Sequence, residues 1–339
     1  MRIFHPKKIV NLVTVAGRHY LVRLVCQIET PNIHSLMSLD RFQLSIIIPT
    51  KNRVQILADL FDSIGRLDEI DSIRPEIIVA DNGSQDDTSD YVHSLARDFP
   101  NSIRTLKVLR PGKSAAINEA VKAANGNVLA FLDDDVVVDK TWLVAIQRFF
   151  RDGNCPVGQG LIRLQPPTAN DPEILRLVER YRTIPKLEHD PIIKTLSTLN
   201  GANFFARRDA FDEVGGLDER LGPGASGTSE DVDFARRLIQ ARIAIGYAPQ
   251  AVVYHRVDRD RLTDEYFKQS HWRQGRSRLL FRNRSTTSIF LNLVRVRAQY
   301  VCYTLVGNER NRYRSKGRIY HYLGMMEAKR NGSNGRQAR

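Results

Sequence analysis

The sequence predicts an α/β fold built on a mostly parallel sheet, and two observations carry that prediction. Four short apolar runs, "LSIIIP" (44–49), "EIIVA" (76–80), "IRTLKVL" (103–109) and "NVLAFL" (127–132), are separated by stretches of helical spacing at 54–67, 86–98 and 114–124. Strands alternating with helical stretches indicate βαβ units, because parallel neighbours need a crossover between them. Each run also closes on polar turn residues, the last of them on three consecutive aspartates, Asp133, Asp134 and Asp135. With 339 residues and 42% apolar content, the chain can bury a sizeable core as one large domain with extensions or as two domains.

Taken in chain order, residues 1–42 form an N-terminal appendage. "KKIVNLVTVAGRHYLVRLVCQ" (7–27) mixes basic and apolar residues loosely at helical spacing. The α/β pattern occupies 43–260. Beyond 140 it loosens: "WLVAIQRFF" reads as a helix, "VGQGLIRL" as a strand, and Asp171-Pro172 as a cap and first turn opening a helix. "GANFFARR" reads as a strand. "LGPGASGTSED" (221–231) is a Gly/Ser-rich loop running into an amphipathic helix with acids at its start, and "AIGYAP" and "AVVYH" read as two short strands. Residues 261–339 form a basic helical extension, helix from about 262 to 325, with "NGSNGRQAR" as a disordered tail.

Bulk properties exclude several classes. Cys26, Cys155 and Cys302 lie far apart with no CxxC pair, which argues against a cysteine zinc site and a disulfide framework and for a reducing compartment. No stretch approaches the ~20 apolar residues of a membrane span. "IVNLVTVA" (9–16) is too short and lacks a clear cleavage site. The net charge of +13 suits an anionic ligand, nucleic acid or an anionic membrane surface.

In open α/β sheets ligands bind beyond the carboxyl ends of the strands. Four such ends carry unusual polar groups here: Pro49-Thr50-Lys51-Asn52-Arg53, Asp81-Asn82-Gly83-Ser84, Arg110-Pro111-Gly112-Lys113 and Asp133-Asp134-Asp135. Turn chemistry accounts for any one of them, "DNGS" above all; four together, mixing cations and carboxylates, exceed it. The first turn lacks the glycines of a dinucleotide site, and "RPGKSA" lacks the earlier glycine of a phosphate-binding loop. In an extended segment Asp133 and Asp135 share one face, where few carboxylates can hold Mg²⁺ or Mn²⁺ together with substrate phosphates.

In this order, the segments resemble the inverting family 2 glycosyltransferases of the GT-A fold. "SIIIPTKNR" is similar to that family's opening strand and turn, and "IIVADNGSQDDT" to its second. "RPGKSAAINEAVKAANGNVLAFLDDD" is similar to its helix leading to the Asp-x-Asp metal motif. "GANFFARRDAFDEVGGLDERL" and "TSEDVDFARRL" are similar to its acceptor-side and catalytic segments. The resemblance covers about 43–275, and it implies an open sheet with helices on both faces. It implies that Pro49, Thr50, Asn52, Arg53, Asp81, Lys113, Asp133 and Asp134 bind the nucleotide-sugar donor. Asp133, Asp135 and His255 would hold a divalent cation, Mn²⁺ or Mg²⁺. Asp231 would be the general base, with Glu230, Asn203 and Trp272 on the acceptor side. Asn82 stands where the family usually has a second aspartate, and "HWRQGR" (271–276) where processive synthases carry Gln-x-x-Arg-Trp.

The expected activity is transfer of a single sugar to a hydroxyl of a glycan or glycolipid. A nucleotidyltransferase and a basic nucleic-acid-binding protein are the alternatives, the latter without a recognisable module. From 285 onward eleven basic residues face Glu309 and Glu327 among Leu, Val, Ile and Tyr, which predicts a cytoplasmic protein held at the inner face of an anionic membrane.

Overall fold

The computed structural model describes residues 12–15, 18–21, 42–99, 102–153 and 155–337. The chain divides into two compact units, 1–41 and 42–339. In the first, β1 (Leu12–Val15) pairs antiparallel with β2 (Arg18–Leu21). The helical spacing expected there is overridden by the β-branched Val13, Thr14 and Val15, which favour extended backbone. The rest of the 7–27 segment lies outside the described residues.

The second unit opens with β3 (Leu44–Thr50), α1 (Val54–Ile64), the single turn α2 (Ile70–Ile73), β4 (Glu76–Asp81), α3 (Thr88–Asp98) and β5 (Ile103–Lys107). It continues through α4 (Lys113–Ala123), β6 (Val128–Leu132), β7 (Val136–Val138), α5 (Trp142–Asp152), β8 (Val157–Leu164) and α6 (Pro172–Tyr181). Then come β9 (Thr195–Leu196), β10 (Asn203–Arg207), α7 (Arg208–Val214), α8 (Glu230–Gln240) and β11 (Ile245–His255). Three helices close it: α9 (Asp264–Phe281), α10 (Thr286–Leu305) and α11 (Glu309–Gln337).

Strands β5, β4, β3 and β6 lie side by side and parallel, as the alternation predicts. Every residue of β3 is buried because both faces of the sheet are covered. Ile46 and Ile48 pack with Leu57, Leu60 and Phe61 of α1, while Ile47 packs with Ala116, Ile117 and Ala120 of α4 on the other face. Burial on both faces is why these strands read as continuous apolar runs.

The loosened pattern beyond 140 has a topological cause. β10 enters antiparallel between β6 and β8, after which β8 and β11 pair parallel and β7 closes the path as an antiparallel partner of β11. The two strands expected at 244–249 and 251–255 are one strand with a register shift between Ala248 and Val252. Pro249 lies inside that shift and has no N–H for the ladder. Asn203 fills the irregularity: its Nδ2 donates to the carbonyls of Ala251 (2.8 Å) and Leu161 (3.0 Å), and its Oδ1 accepts from Trp142 Nε1 (2.9 Å).

The C-terminal helical stretch is broken twice. Ser285 caps α10 by accepting from the Ser288 N–H (3.2 Å), and Gly307 turns the chain at φ 68° before α11. α9 and α11 approach closely at Gly275, where a Cβ would run into the His321 carbonyl. A separate small core joins them to α6 through Tyr181, Phe267 and Tyr313. α11 continues to Gln337, across residues the sequence predicts to be disordered. Once the packed turns of α11 are formed, each further residue adds one helical hydrogen bond without a new nucleation cost.

Candidate active site

The three aspartates occupy the whole link between β6 and β7. β6 is paired within the sheet and β7 at its end, so the link spans the cleft between them. Pairing of Val136 with His255, and a bond from the Arg256 N–H to the Asp135 carbonyl (3.0 Å), bring Asp135 beside His255. The Asp135 carboxylate lies 3.2 Å from His255 Nε2 and 3.2 Å from Arg261 Nη2. Asp134 turns the other way and accepts from the Thr50 hydroxyl (2.8 Å). Burial first, then the charge of Asp135, pushes the Asp134 carboxyl up to about 6.

His255 is 1% exposed, and its Nδ1 lies 2.7 Å from the Arg256 carbonyl. A carbonyl only accepts, so Nδ1 carries a proton there, and the form of the ring that can ligate a cation has its lone pair at Nε2. That buried Nε2, 3.2 Å from the Asp135 carboxylate, has no hydrogen-bond partner among the described residues. Ligand atoms of Asp133, Asp135 and His255 all lie within 4.8 Å of one another. Two carboxylates and an imidazole lone pair converging in a buried place are a donor set that a divalent cation fits.

Asp133 meets the ammonium of Lys113, which also lies 3.9 Å from Glu230. Burial alone would raise the Asp133 carboxyl; the Lys113 ammonium, by its charge and its hydrogen bond, outweighs burial and holds it below the usual carboxylate range. Burial likewise disfavours the Lys113 ammonium, but Asp133 and Glu230 outweigh it and raise Lys113 above the ordinary lysine range. Burial and then Asp231 push Glu230 up to about 7. Asp231 is raised mainly by burial, against hydrogen bonds from the N–H groups of Val232 (2.7 Å) and Gly201 (3.1 Å). The Gly/Ser-rich loop delivers this pair by docking on the start of α4. The Lys113 N–H donates to the Pro223 carbonyl (2.9 Å) and the Ser114 hydroxyl to the Leu221 carbonyl (2.9 Å). Gly222 has φ 90°, and a Cβ there would press on the Glu230 carboxyl at 3.1 Å.

The first two turns form the opposite wall. Pro49 is buried in β3 opposite Ala80. Asn52, at φ 53°, accepts from the Gln85 N–H (2.8 Å), and the Arg53 N–H donates to the Thr88 hydroxyl (3.1 Å). Asp81 is fully buried and accepts from the Ser84 N–H (2.8 Å) and the Ser89 hydroxyl (2.6 Å). Asn82 donates to the carbonyls of Val108 (3.1 Å) and Arg110 (2.8 Å) and accepts from the Gly112 N–H (2.8 Å). An aspartate could not make the two donations, so the amide ties the second turn to the third.

The model of glycosyl transferase family 2 matches residues 45–215, half of the chain. The chain belongs to glycosyl transferase family 2. It is 26% identical over 216 residues to glycosyltransferase AglE of Haloferax volcanii, covering 62% of this chain and 66% of that relative. It is 28% identical over 222 residues to the succinoglycan biosynthesis protein ExoM of Rhizobium meliloti, covering 65% and 69%. Other curated relatives are matched over only 40–42% of their own length. A mannosyltransferase from Pyrobaculum calidifontis, solved in complex with GDP-Man and Mn²⁺, shares the fold with TM-score 0.57 and 16% identity over 85% of this chain and 87% of that one. This family 2 glycosyltransferase therefore has the GT-A fold.

Two expected acceptor-side residues have their polar groups engaged within the protein. Asn203 is fully buried with its hydrogen bonds directed into the sheet, so it cannot touch an acceptor. Trp272 sits on the α9–α11 seam, its Nε1 donating to Glu327 (3.1 Å) and its ring covered by Arg276 at 4.7 Å. In both cases the residue type suited sugar binding, and packing needs claimed it first. Asp233, two residues after Asp231, is buried between Arg236 (2.8 Å) and Arg237 (2.9 Å), so it secures α8. Arg261 is the site residue that sequence reasoning missed. It is one of three arginines in six residues, and only the fold selects it over Arg256 and Arg259.

Asn203→Ala should cost about 2–4 kcal/mol, since it leaves a buried indole N–H and two carbonyls without partners. The measurement is the urea midpoint, which should fall while the Michaelis constant for the donor stays at the wild-type value. A wild-type midpoint with a changed donor constant would return Asn203 to the binding site.

Proposed function

We propose that the protein is a metal-dependent, inverting transferase that moves one sugar from a nucleoside-diphosphate donor to a hydroxyl of a glycan or glycolipid. The observation that carries this reading is the shared cation. Lys113 contacts Asp133 of the Asp133–Asp135–His255 cluster and lies 3.9 Å from Glu230, next to Asp231. The donor-side and acceptor-side carboxylates therefore face one cleft. AglE and ExoM, by their names a glycosyltransferase and a polysaccharide biosynthesis protein, support the substrate class. The solved mannosyltransferase, bound to GDP-Man and Mn²⁺, supports a nucleotide-sugar donor and a divalent cation. Absence of the Gln-x-x-Arg-Trp motif supports a single addition.

Asp133, Asp135 and His255 would hold the cation, and the imidazole in that set favours Mn²⁺ over Mg²⁺, which prefers oxygen ligands. Bound there, a divalent cation neutralises charge on the departing diphosphate. On the acceptor side, Asp231 takes the hydroxyl proton as the acceptor oxygen bonds to the anomeric carbon. The carbon–oxygen bond to the diphosphate breaks on the opposite face, its electron pair leaves with the nucleoside diphosphate, and the anomeric configuration inverts. The N–H groups of Gly201 and Val232 orient the carboxylate. Its raised pKa brings it nearer the working pH, as a general base requires.

A location at an anionic membrane surface is part of the proposal. α10 turns Phe290, Leu291, Val294, Val301 and Leu305 outward, Leu305 being 82% exposed, with Arg295 and Arg297 exposed among them. Apolar side chains that enter a lipid interface beside guanidinium groups suit anionic lipid, each cation contributing about 1 kcal/mol near the surface. No helix among the described residues is long and apolar enough to cross a membrane.

Asp231→Asn should lower turnover by ~10²–10⁴-fold with donor affinity unchanged. In the wild type the base must be deprotonated, so activity should be lost as pH falls, with the acid limb above the ordinary aspartate range. Near-normal transfer by the variant would move the base to Glu230. Release of pyrophosphate instead of a nucleoside diphosphate would identify a nucleotidyltransferase.

Asp135→Ala should abolish the Mn²⁺-dependent part of nucleoside-diphosphate binding, followed by calorimetry, while the circular dichroism spectrum is retained. Equal affinity with Mn²⁺ in both proteins would remove Asp135 from the cation site.

Phe290→Ser with Leu291→Ser should shift the protein from the pellet to the supernatant in sedimentation with phosphatidylglycerol vesicles. Identical sedimentation of variant and wild type would exclude α10 as the docking face.

A further inference from the structure

A cavity of about 330 Å³ lies between the end of α6, α9 and α11, and shares no lining residue with the donor cleft. Its wall carries Arg180, Arg182, Arg278, Arg284, Arg314 and Arg318, and no carboxylate. Of these six, Arg180 is paired, with Glu309 at 2.6 Å. The other five make no ion pair among the described residues. Guanidinium groups gathered around one cavity repel each other, and nothing in the packing of three helices requires six of them there.

Two further observations mark the cavity as built for negative charge. Arg180 Nε and His321 Nδ1 are buried without hydrogen-bond partners, and both residues line it. Burial, with Arg278 and Arg284 beside it, pushes His321 down to about 4. Burial, then Arg282 and Arg284, holds Arg278 below the ordinary guanidinium range. An anion here would satisfy the orphaned donor and remove the repulsion at once.

We infer that this cavity is a second anion site that takes a phosphate-bearing group, a phosphomonoester or a diphosphate. Guanidinium forks match phosphate oxygens in pairs, which a diffuse basic surface does not. The volume falls at the lower end of small-molecule pockets, roughly 300–1,000 Å³. The group can belong to a soluble phosphorylated compound or to a lipid headgroup. The inference does not depend on the sugar-transfer reading.

The test uses the full chain in EDTA, which removes divalent cations from the donor cleft, at constant ionic strength. Inorganic pyrophosphate is titrated by calorimetry. Saturable binding of one pyrophosphate per chain is expected. It should be weakened at least tenfold in Arg278→Gln with Arg318→Gln, and retained in Lys113→Met, which alters only the donor cleft. Without pyrophosphate, the double variant should melt no lower than wild type, because it relieves repulsion; the more exposed pair Arg182→Gln with Arg314→Gln repeats the test should the first variant fail to fold. Phosphatidic acid vesicles that compete with pyrophosphate, where phosphatidylcholine vesicles do not, assign the group to a lipid headgroup. Vesicles without effect assign it to a soluble compound. Non-saturable binding, or equal affinity in wild type and both double variants, overturns the site.

Discussion

Asp133, Asp134 and Asp135 are all the chain available between β6, which is hydrogen-bonded to β3 and β10, and β7, which is hydrogen-bonded to β11. That short link is the constraint on which the site depends. It can be closed only if the far part of the sheet curls back to bring the end of β11 beside the end of β6. Curling puts His255 next to Asp135 and leaves Asp134 facing Thr50 across the cleft. Adjacent carboxylates withdrawn from bulk water repel, and local turn preference would not hold them. They persist because strand pairing on both sides of the link, fixed by an extensive apolar core, leaves the turn no other path.

Compensation for that charge comes from residues remote in sequence. Lys113 stands at the start of α4 and Arg261 just before α9, and the two approach the aspartates from different sides. Five carboxylates, Asp133, Asp134, Asp135, Glu230 and Asp231, thus meet two fixed cations. The excess negative charge is the electrostatic counterpart of the unpartnered His255 nitrogen. The same lysine explains why the acidic start of α8 is held near the aspartates, with the Gly/Ser-rich loop pinned to α4 by Lys113 and Ser114.

The C-terminal helices obey a different logic. α9 and α11 pack through glycines and aromatic rings, and α10 covers α11 with Ile289, Leu293 and Val296 turned inward. Lys316 pairs with Asp264 across the α9–α11 contact, while Arg278, Arg314 and Arg318 make no ion pair among the described residues, unlike Lys113 and Arg261. A basic region with five arginines around one cavity that make no ion pair among the described residues, and with apolar side chains exposed on α10, is shaped for contacts beyond its own fold.

By itself the sequence determined the strands and helices of 44–132, because a strand buried on both faces must be an apolar run and a turn must carry polar breakers. It also determined which polar residues gather at the strand ends, since position in a parallel sheet follows from βα alternation. Asp133, Asp135 and Lys113 were legible in that way, whereas Glu230 and Asp231 were singled out by the resemblance of their segment to the family's catalytic one. Tertiary structure alone decided the antiparallel entry of β10, the fusion of two expected strands around Pro249, and the choice of Arg261 among three arginines. It also turned the Asn203 amide into the sheet and set the Trp272 ring on the α9–α11 seam, because a bulge left carbonyls to satisfy and a helix seam had a ring to cover. Those outcomes depend on which groups meet across long stretches of chain, and local residue patterns carry no record of such meetings.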